Sequence, residues 1–181
     1  MTEDVLSLRS LRLRVSALAG LSADIRSRTE GLPGLEGMGA TVVLALVCGN
    51  RALIAHIGDS RAYRHRQGSK GSLELLTKDH SVVQMLIERR EVTRSEVHSH
   101  PARSQLTRFV GMPGEPLPEV RCIELRPGDR LLLCSDGLTN MVCDMELFEV
   151  LGLGLSSEKI CKRLVAAANR AGGRDNVSVV C

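Results

Sequence analysis

The sequence predicts an α+β fold with antiparallel strands, in a single domain over residues 1–181. Three observations point to it. After a first helical stretch, β-branched and aliphatic runs follow one another, joined by turns too short to hold a helix. Helical patterns dominate the last part of the chain, an order that fits α+β and not alternating βαβ units. The length of 181 residues suits one domain with a substantial core.

Val5, Leu8, Leu11, Val15, Leu18, Leu21 and Ile25 recur every three or four residues, one apolar stripe on a long amphipathic helix. The Gly- and Pro-containing segment 31–39 breaks that pattern as a loop. Residues 41–48 (TVVLALVC) and 51–57 (RALIAHI) read as strands of a hairpin, because Gly49-Asn50 tolerates the positive φ of a two-residue turn. Strands follow at 61–66 (RAYRHR) and 73–76. A helix is predicted over 82–90, with Asp79 or Ser81 to cap its first turn. Thr93-Arg94-Ser95-Glu96 has capping-box spacing. Strands at 120–125 and 130–134 flank the turn Arg126-Pro127-Gly128-Asp129, continuing the series of hairpins. Helices over 146–151 and 158–171 come next, and 177–181 begins a final strand.

Composition narrows the function classes. Hydrophobic residues make up 43% and charged residues 25%, as in ordinary globular proteins. With no Trp, one Tyr and two Phe, the core must be aliphatic, and the stacking platforms of a single-strand nucleic-acid binder are missing. The net charge is only +3, and its 24 basic residues are spread along the chain, so no nucleic-acid partner is expected. The six cysteines form no C-x-x-C pair; Cys48, Cys122 and Cys134 lie in apolar runs and read as small buried hydrophobes. The N-terminal residues carry no apolar signal-peptide core, and no run reaches membrane-spanning length. A cytoplasmic chain with no membrane partner is the expectation.

Three aspartates sit where turn residues interrupt strand-like runs. They are Asp59 in Gly58-Asp59-Ser60-Arg61, Asp136 in Ser135-Asp136-Gly137-Leu138, and Asp175 in Gly173-Arg174-Asp175-Asn176. Any one alone reads as a turn residue bonding its own backbone. As a set of three, clustered carboxylates would repel unless a cation sits between them. Oxygen ligands without paired Cys or His suit a hard ion such as Mg²⁺ or Mn²⁺.

These residues, with Gly39-Ala40-Thr41, Asp79-His80-Ser81, Leu106-Thr107-Arg108 and Val177-Ser178, form an ordered series that resembles the bacterial metal-dependent (type-2C, PPM) serine/threonine protein phosphatases. The resemblance runs from about Gly37 to the end of the chain. It implies two antiparallel sheets packed face to face with helices outside, a type-2C αββα sandwich. It implies hydrolysis of phosphoserine and phosphothreonine in proteins by a metal-activated water, without a covalent enzyme intermediate. Asp136 and Asp175 match ligands of a paired Mg²⁺ or Mn²⁺ centre, and Asp59 joins Asp136 at a third, weaker ion site. Ser60, Arg61, Ser135, Gly137 and Asn176 would support those ligands. The segment 91–116 corresponds to the family's flap and holds His98, His100, Arg103 and Arg108; Arg108 either meets the anionic substrate or packs structurally. Implied partners are phosphorylated proteins, substrates of a serine/threonine kinase.

One departure stands out. The family carries an Arg, an Asn-Glu-Asp segment and an Asp-Gly-x-Gly-Gly motif ahead of the first long helix. Here only Met1-Thr2-Glu3-Asp4 precedes it, and Asp4 has no Gly after it. The expectation is an N-terminally truncated domain whose 181 residues alone have little or no phosphatase activity. The alternative reading is a non-catalytic pseudophosphatase that binds phosphoproteins or a partner.

Overall fold

The computed structural model describes residues 20–68 and 71–181. Five of the seven residues that define the first apolar stripe lie outside them. Within the described part, α1 covers 20–29, with Ile25 packed inward and Leu21 facing out. Ser22 takes the fully buried place and accepts the Gly111 N–H at 3.0 Å.

Among the described residues, seven strands form two antiparallel sheets. The first has the order β1-β2-β5, from Val42–Cys48, Arg51–Ile57 and Glu119–Glu124. The second has the order β4-β3-β6-β7, from Ser72–Leu75, Arg61–Arg66, Arg130–Cys134 and Val179–Val180. The β1–β2 hairpin closes on Gly49 (φ +58), which pairs Cys48 with Arg51 and sets the register of the whole ladder. The turn 126–129 does not close a hairpin, contrary to the sequence reading. β5 pairs with β2, whereas β6 pairs with β3, so the chain crosses from one sheet to the other there. It crosses in the same way at Gly58-Asp59-Ser60, between β2 and β3.

The alternation of each strand sorts its side chains into layers. Ala52, Ile54, Ala62, Leu76 and Ile123 meet between the sheets. On the outer face of the four-stranded sheet, Tyr63, Leu132 and Cys134 pack against helices α3 (Asp136–Thr139), α4 (Asp144–Gly152) and α5 (Ser157–Arg170). On the other side, Ile57 and Val110 pack with Ile25, Val42 and Leu44. The result is the helix–sheet–sheet–helix layering that the resemblance implies.

Other elements follow local chemistry. Helix α2 (Val82–Glu88) is capped by Ser81, whose hydroxyl accepts the Gln84 N–H. In the flap, Glu96 accepts from the N–H and hydroxyl of Thr93 at 2.8 and 2.6 Å, but only a short 3-10 turn, Val97–Ser99, follows. Two isolated bridges, Ala40 to Val110 and Ser81 to Leu106, tie the second half of the flap segment back to the body. Cys134 is buried as expected and Cys48 is half-buried, whereas Cys122 is exposed because β5 turns Ile123, not its neighbour, toward the core.

Candidate metal centre

Asp59 stands at the crossing between the sheets. Gly58 before it adopts φ +107, and a Cβ there would lie 2.3 Å from the Thr41 methyl, so only glycine allows this approach. The Ser60 hydroxyl bonds the Thr41 hydroxyl at 2.8 Å, anchoring the turn to the start of β1. Arg61 opens β3 and grips Asp79 as a fork, Nε to Oδ1 at 2.9 Å and Nη2 to Oδ2 at 2.7 Å. Burial works to lower the Arg61 pKa, but the Asp79 hydrogen bond and charge outweigh it and raise it. Arg61 is therefore neutralised by Asp79 and acts as a strut.

Asp136 follows β6 by two residues and begins α3. Ser135 staples it to the incoming last strand: its hydroxyl donates to the Asn176 carbonyl at 3.2 Å and accepts the Ser178 N–H at 3.0 Å. The Asn140 amide donates to Asp136 Oδ2 at 3.2 Å. Asp175 precedes this strand, and its Oδ1 accepts the Asn176 N–H at 2.7 Å.

Asp59 and Asp136 line one small cavity of about 50 Å³ together with Arg61, Asp79, Arg103 and Asn140. Burial, then the charges of Asp136 and Asp79, push the Asp59 carboxyl up to about 6. Burial, then the charge of Asp175, raise the Asp136 pKa. So Asp136 is the middle member, coupled to Asp59 on one side and to Asp175 on the other. The donor set is carboxylate oxygen in a partly dry site that already carries excess negative charge. It fits a hard divalent cation, which would relieve the repulsion. The three aspartates do not form one set with oxygens all within 4.8 Å of one another, which favours sharing through Asp136 over a single three-fold cage.

Among the described residues, one trio does meet that distance: His56, His80 and Glu119. Its chemistry does not suit a metal. His80 Nδ1 accepts the Gly58 N–H at 3.1 Å, which leaves the proton of the neutral ring on Nε2 and neither nitrogen with a free lone pair. The Arg108 guanidinium, 3.3 Å from Nε2, adds positive charge at the same spot. Burial, then Arg108 and His56, push His80 down to about 4.

Arg108 donates to the Leu117 carbonyl at 3.1 Å and lines a separate cleft of about 670 Å³ formed by 107–120. These contacts are those of its structural reading. Arg103 is the flap cation beside Asp59 and Asp136. The His100 Nδ1 accepts the Ala102 N–H and shapes the flap locally. Asp79, absent from the sequence-derived site, belongs in it as the partner of Arg61; its place in Asp79-His80-Ser81 was the available signal.

Residues 5–164 match the family profile described as Protein phosphatase 2C. The chain belongs to the protein phosphatase 2C family. It is 44% identical over 170 residues to the serine/threonine protein phosphatase PstP of Mycobacterium tuberculosis, an alignment covering 93% of this chain. The chain spans about a third, 32%, of the length of that curated relative. The structure of the S. agalactiae serine/threonine phosphatase matches with a TM-score of 0.88 at 31% identity, over 96% of this chain and 70% of that one. The catalytic domain of PstP in complex with 2 manganese ions matches with a TM-score of 0.77 at 34% identity, over 99% of this chain and 82% of that one. These likenesses bear out the two-sheet sandwich. Among the described residues no helix is long and apolar enough to cross a membrane.

Proposed function

We propose that this chain provides most of the catalytic domain of a metal-dependent phosphatase that hydrolyses phosphoserine and phosphothreonine in proteins. The observation that carries the reading is the electrostatic coupling of Asp136 to Asp59 on one side and to Asp175 on the other, three carboxylates carried on strand and helix ends of a protein phosphatase 2C fold. Asp136 and Asp175 would hold a Mg²⁺ or Mn²⁺ ion, and Asp136 and Asp59 another. Bound ions would activate water and neutralise charge on the phosphoryl oxygens. The chain's own residues do the rest. Ser135 and Gly137 hold the Asp136 and Asp175 segments together, and Asn140 orients Asp136. Ser60 and Arg61 brace the Asp59 turn. Arg103 offers a cation to the incoming phosphate from the flap side. The substrates would be phosphoproteins made by a serine/threonine kinase, in the cytoplasm and without nucleic-acid partners.

A second reading rests on the sequence itself. No Asp-Gly-x-Gly-Gly occurs in these 181 residues. Without such a carboxylate two ions would be poorly shared, because Mg²⁺ gives up its waters reluctantly. As an isolated polypeptide the chain would then bind phosphoproteins or a partner without hydrolysing them.

Calorimetric titration with Mn²⁺ of the wild type and Asp136→Ala, beside a manganese-dependent phosphopeptide assay, separates the two. Binding lost in the variant together with turnover supports the enzyme. Asp136-dependent binding without turnover supports the binder. No wild-type binding rejects the metal centre.

A further inference from the structure

His80 grips the residue next to Asp59 from both sides of its peptide. The His80 N–H donates to the Gly58 carbonyl at 3.0 Å, and the Gly58 N–H donates back to His80 Nδ1 at 3.1 Å. Both polar backbone groups of Gly58 are thus taken by one residue. The same histidine is tied to the second half of the flap segment: its carbonyl accepts the Thr107 N–H at 2.9 Å, and Ser81 beside it bridges to Leu106. The ring is held in place. It is only 7% exposed and stacks on His56 with centroids 4.6 Å apart and planes within 13°. His56 in turn is fixed by a 2.7 Å bond between its Nε2 and the Lys78 carbonyl.

The ring's two edges have different tasks. Nδ1 must accept, because a backbone N–H points at it. Nε2 therefore carries the proton, and the Glu119 carboxylate, 3.6 Å away and beyond hydrogen-bond reach, faces that side as a negative charge. Arg108 Nη1 stands 3.3 Å from Nε2; a guanidinium only donates, so it makes no bond to an Nε2–H, and its positive charge beside the ring disfavours a second proton there.

We propose that His80 is a positioning residue for Asp59: its Nε2–H tautomer locks the Gly58 amide and so sets the direction in which the Asp59 carboxylate faces Asp136. The left-handed Gly58 leaves the turn little intrinsic preference, because glycine has the widest choice of conformations. The double bond to His80 removes that choice. The metal readout of this proposal rests on the carboxylate reading above; the clamp itself does not.

The test uses the wild type, His80→Asn and His80→Gln. The Asn amide oxygen stands near the position of Nδ1, while the longer Gln arm reaches the position of Nε2 and leaves the Gly58 N–H without an acceptor. Ring ¹⁵N signals of the wild type at neutral pH should show Nδ1 unprotonated and Nε2 protonated. Hydrogen exchange of the Gly58 amide should be slow in the wild type and His80→Asn, and about tenfold faster in His80→Gln, the size of one buried hydrogen bond. The part of Mn²⁺ binding that Asp59→Asn abolishes should weaken about tenfold in His80→Gln and be kept in His80→Asn. A protonated Nδ1 in the wild type, or equal Gly58 protection in both variants, overturns the proposal. If the wild type takes up no Mn²⁺, the carboxylate reading fails while ring signals and amide exchange still decide the clamp. If a variant does not fold, the wild-type ring signals and Gly58 exchange decide it alone.

Discussion

Gly137 lies so close to Asn176 that a Cβ on it would sit 2.3 Å from the Asn176 carbonyl oxygen. The loop carrying Asp175 is therefore seated on the first turn of the helix that Asp136 begins. The spacing between these two carboxylates is set by backbone contact. Gly137→Ala should push the two segments apart. Overpacking of this kind costs about 1–3 kcal/mol, read as a lower midpoint in thermal or urea unfolding. Mn²⁺ affinity should fall more than stability does, because ligand spacing tolerates only a few tenths of an ångström. Calorimetric titration checks this, and unchanged affinity in a folded variant would refute it.

The Arg61–Asp79 fork makes a second prediction. Lysine keeps the charge at 61 but cannot make two parallel bonds to one carboxylate. Arg61→Lys should lose about 1 kcal/mol, a fall in Tm of about 2–4 °C for a chain of this size. Arg61→Met should do more: with no cation at 61, the uncompensated Asp79 should raise the Asp59 pKa further, since Arg61 now lowers it. Carboxyl titration by NMR reads that shift directly.

How much of this was legible in the sequence depends on how local the cause is. Strands β2, β3 and β6 were read to the residue, because aliphatic alternation and flanking Gly, Asp or Pro are local signals. The crossing at 126–129 was misread as a hairpin. Its turn chemistry, with the Asp129 N–H donating to the Arg126 carbonyl, is the same whether the flanking strands pair or part. Which strand β5 joins is decided by a partner about seventy residues earlier, as in Ile54 facing Arg121. Asp59, Asp136 and Asp175 were legible as turn carboxylates in an ordered series. Asp79 as the Arg61 partner, and the direction of Arg108 toward Leu117, depend on how separate elements pack, and no spacing encodes that.

Asp136 is coupled to both other aspartates, so its removal should be felt at a distance. In Asp136→Asn the Asp59 carboxyl loses its largest charge repulsion, although burial, the leading cause, remains. Its pKa should fall part of the way from about 6 toward 3.8. Mn²⁺ binding should weaken by about a hundredfold or more, because a shared ligand is lost from both candidate ion positions. A hundredfold loss without movement of Asp59 would mean that Asp136 and Asp59 do not share a site.

Asp59 and His80 should pull stability in opposite directions over the same pH range when metal is absent. The Asp59 pKa is raised from 3.8 to about 6, so its contribution is full below 3.8 and is lost as pH rises through about 6. The His80 pKa is lowered from 6.5 to about 4, so its contribution is present above 6.5 and is lost as pH falls through about 4. Between pH 4 and 6 the two slopes oppose each other. Asp59→Asn removes one of them. Two pKa units correspond to about 3 kcal/mol, which partial contact with water reduces to about 1–2 kcal/mol. The variant should therefore be more stable than the wild type by about 1–2 kcal/mol at pH 7 in EDTA, with the difference vanishing near pH 4. Its own stability should fall more steeply on acidification, because His80 is then unopposed. Other carboxylates such as Asp129 and Glu96 titrate identically in both proteins and cancel in the comparison. Urea unfolding of the pair from pH 4 to pH 7 measures the difference; a constant offset across that range would show that Asp59 is not a raised, repelled carboxylate.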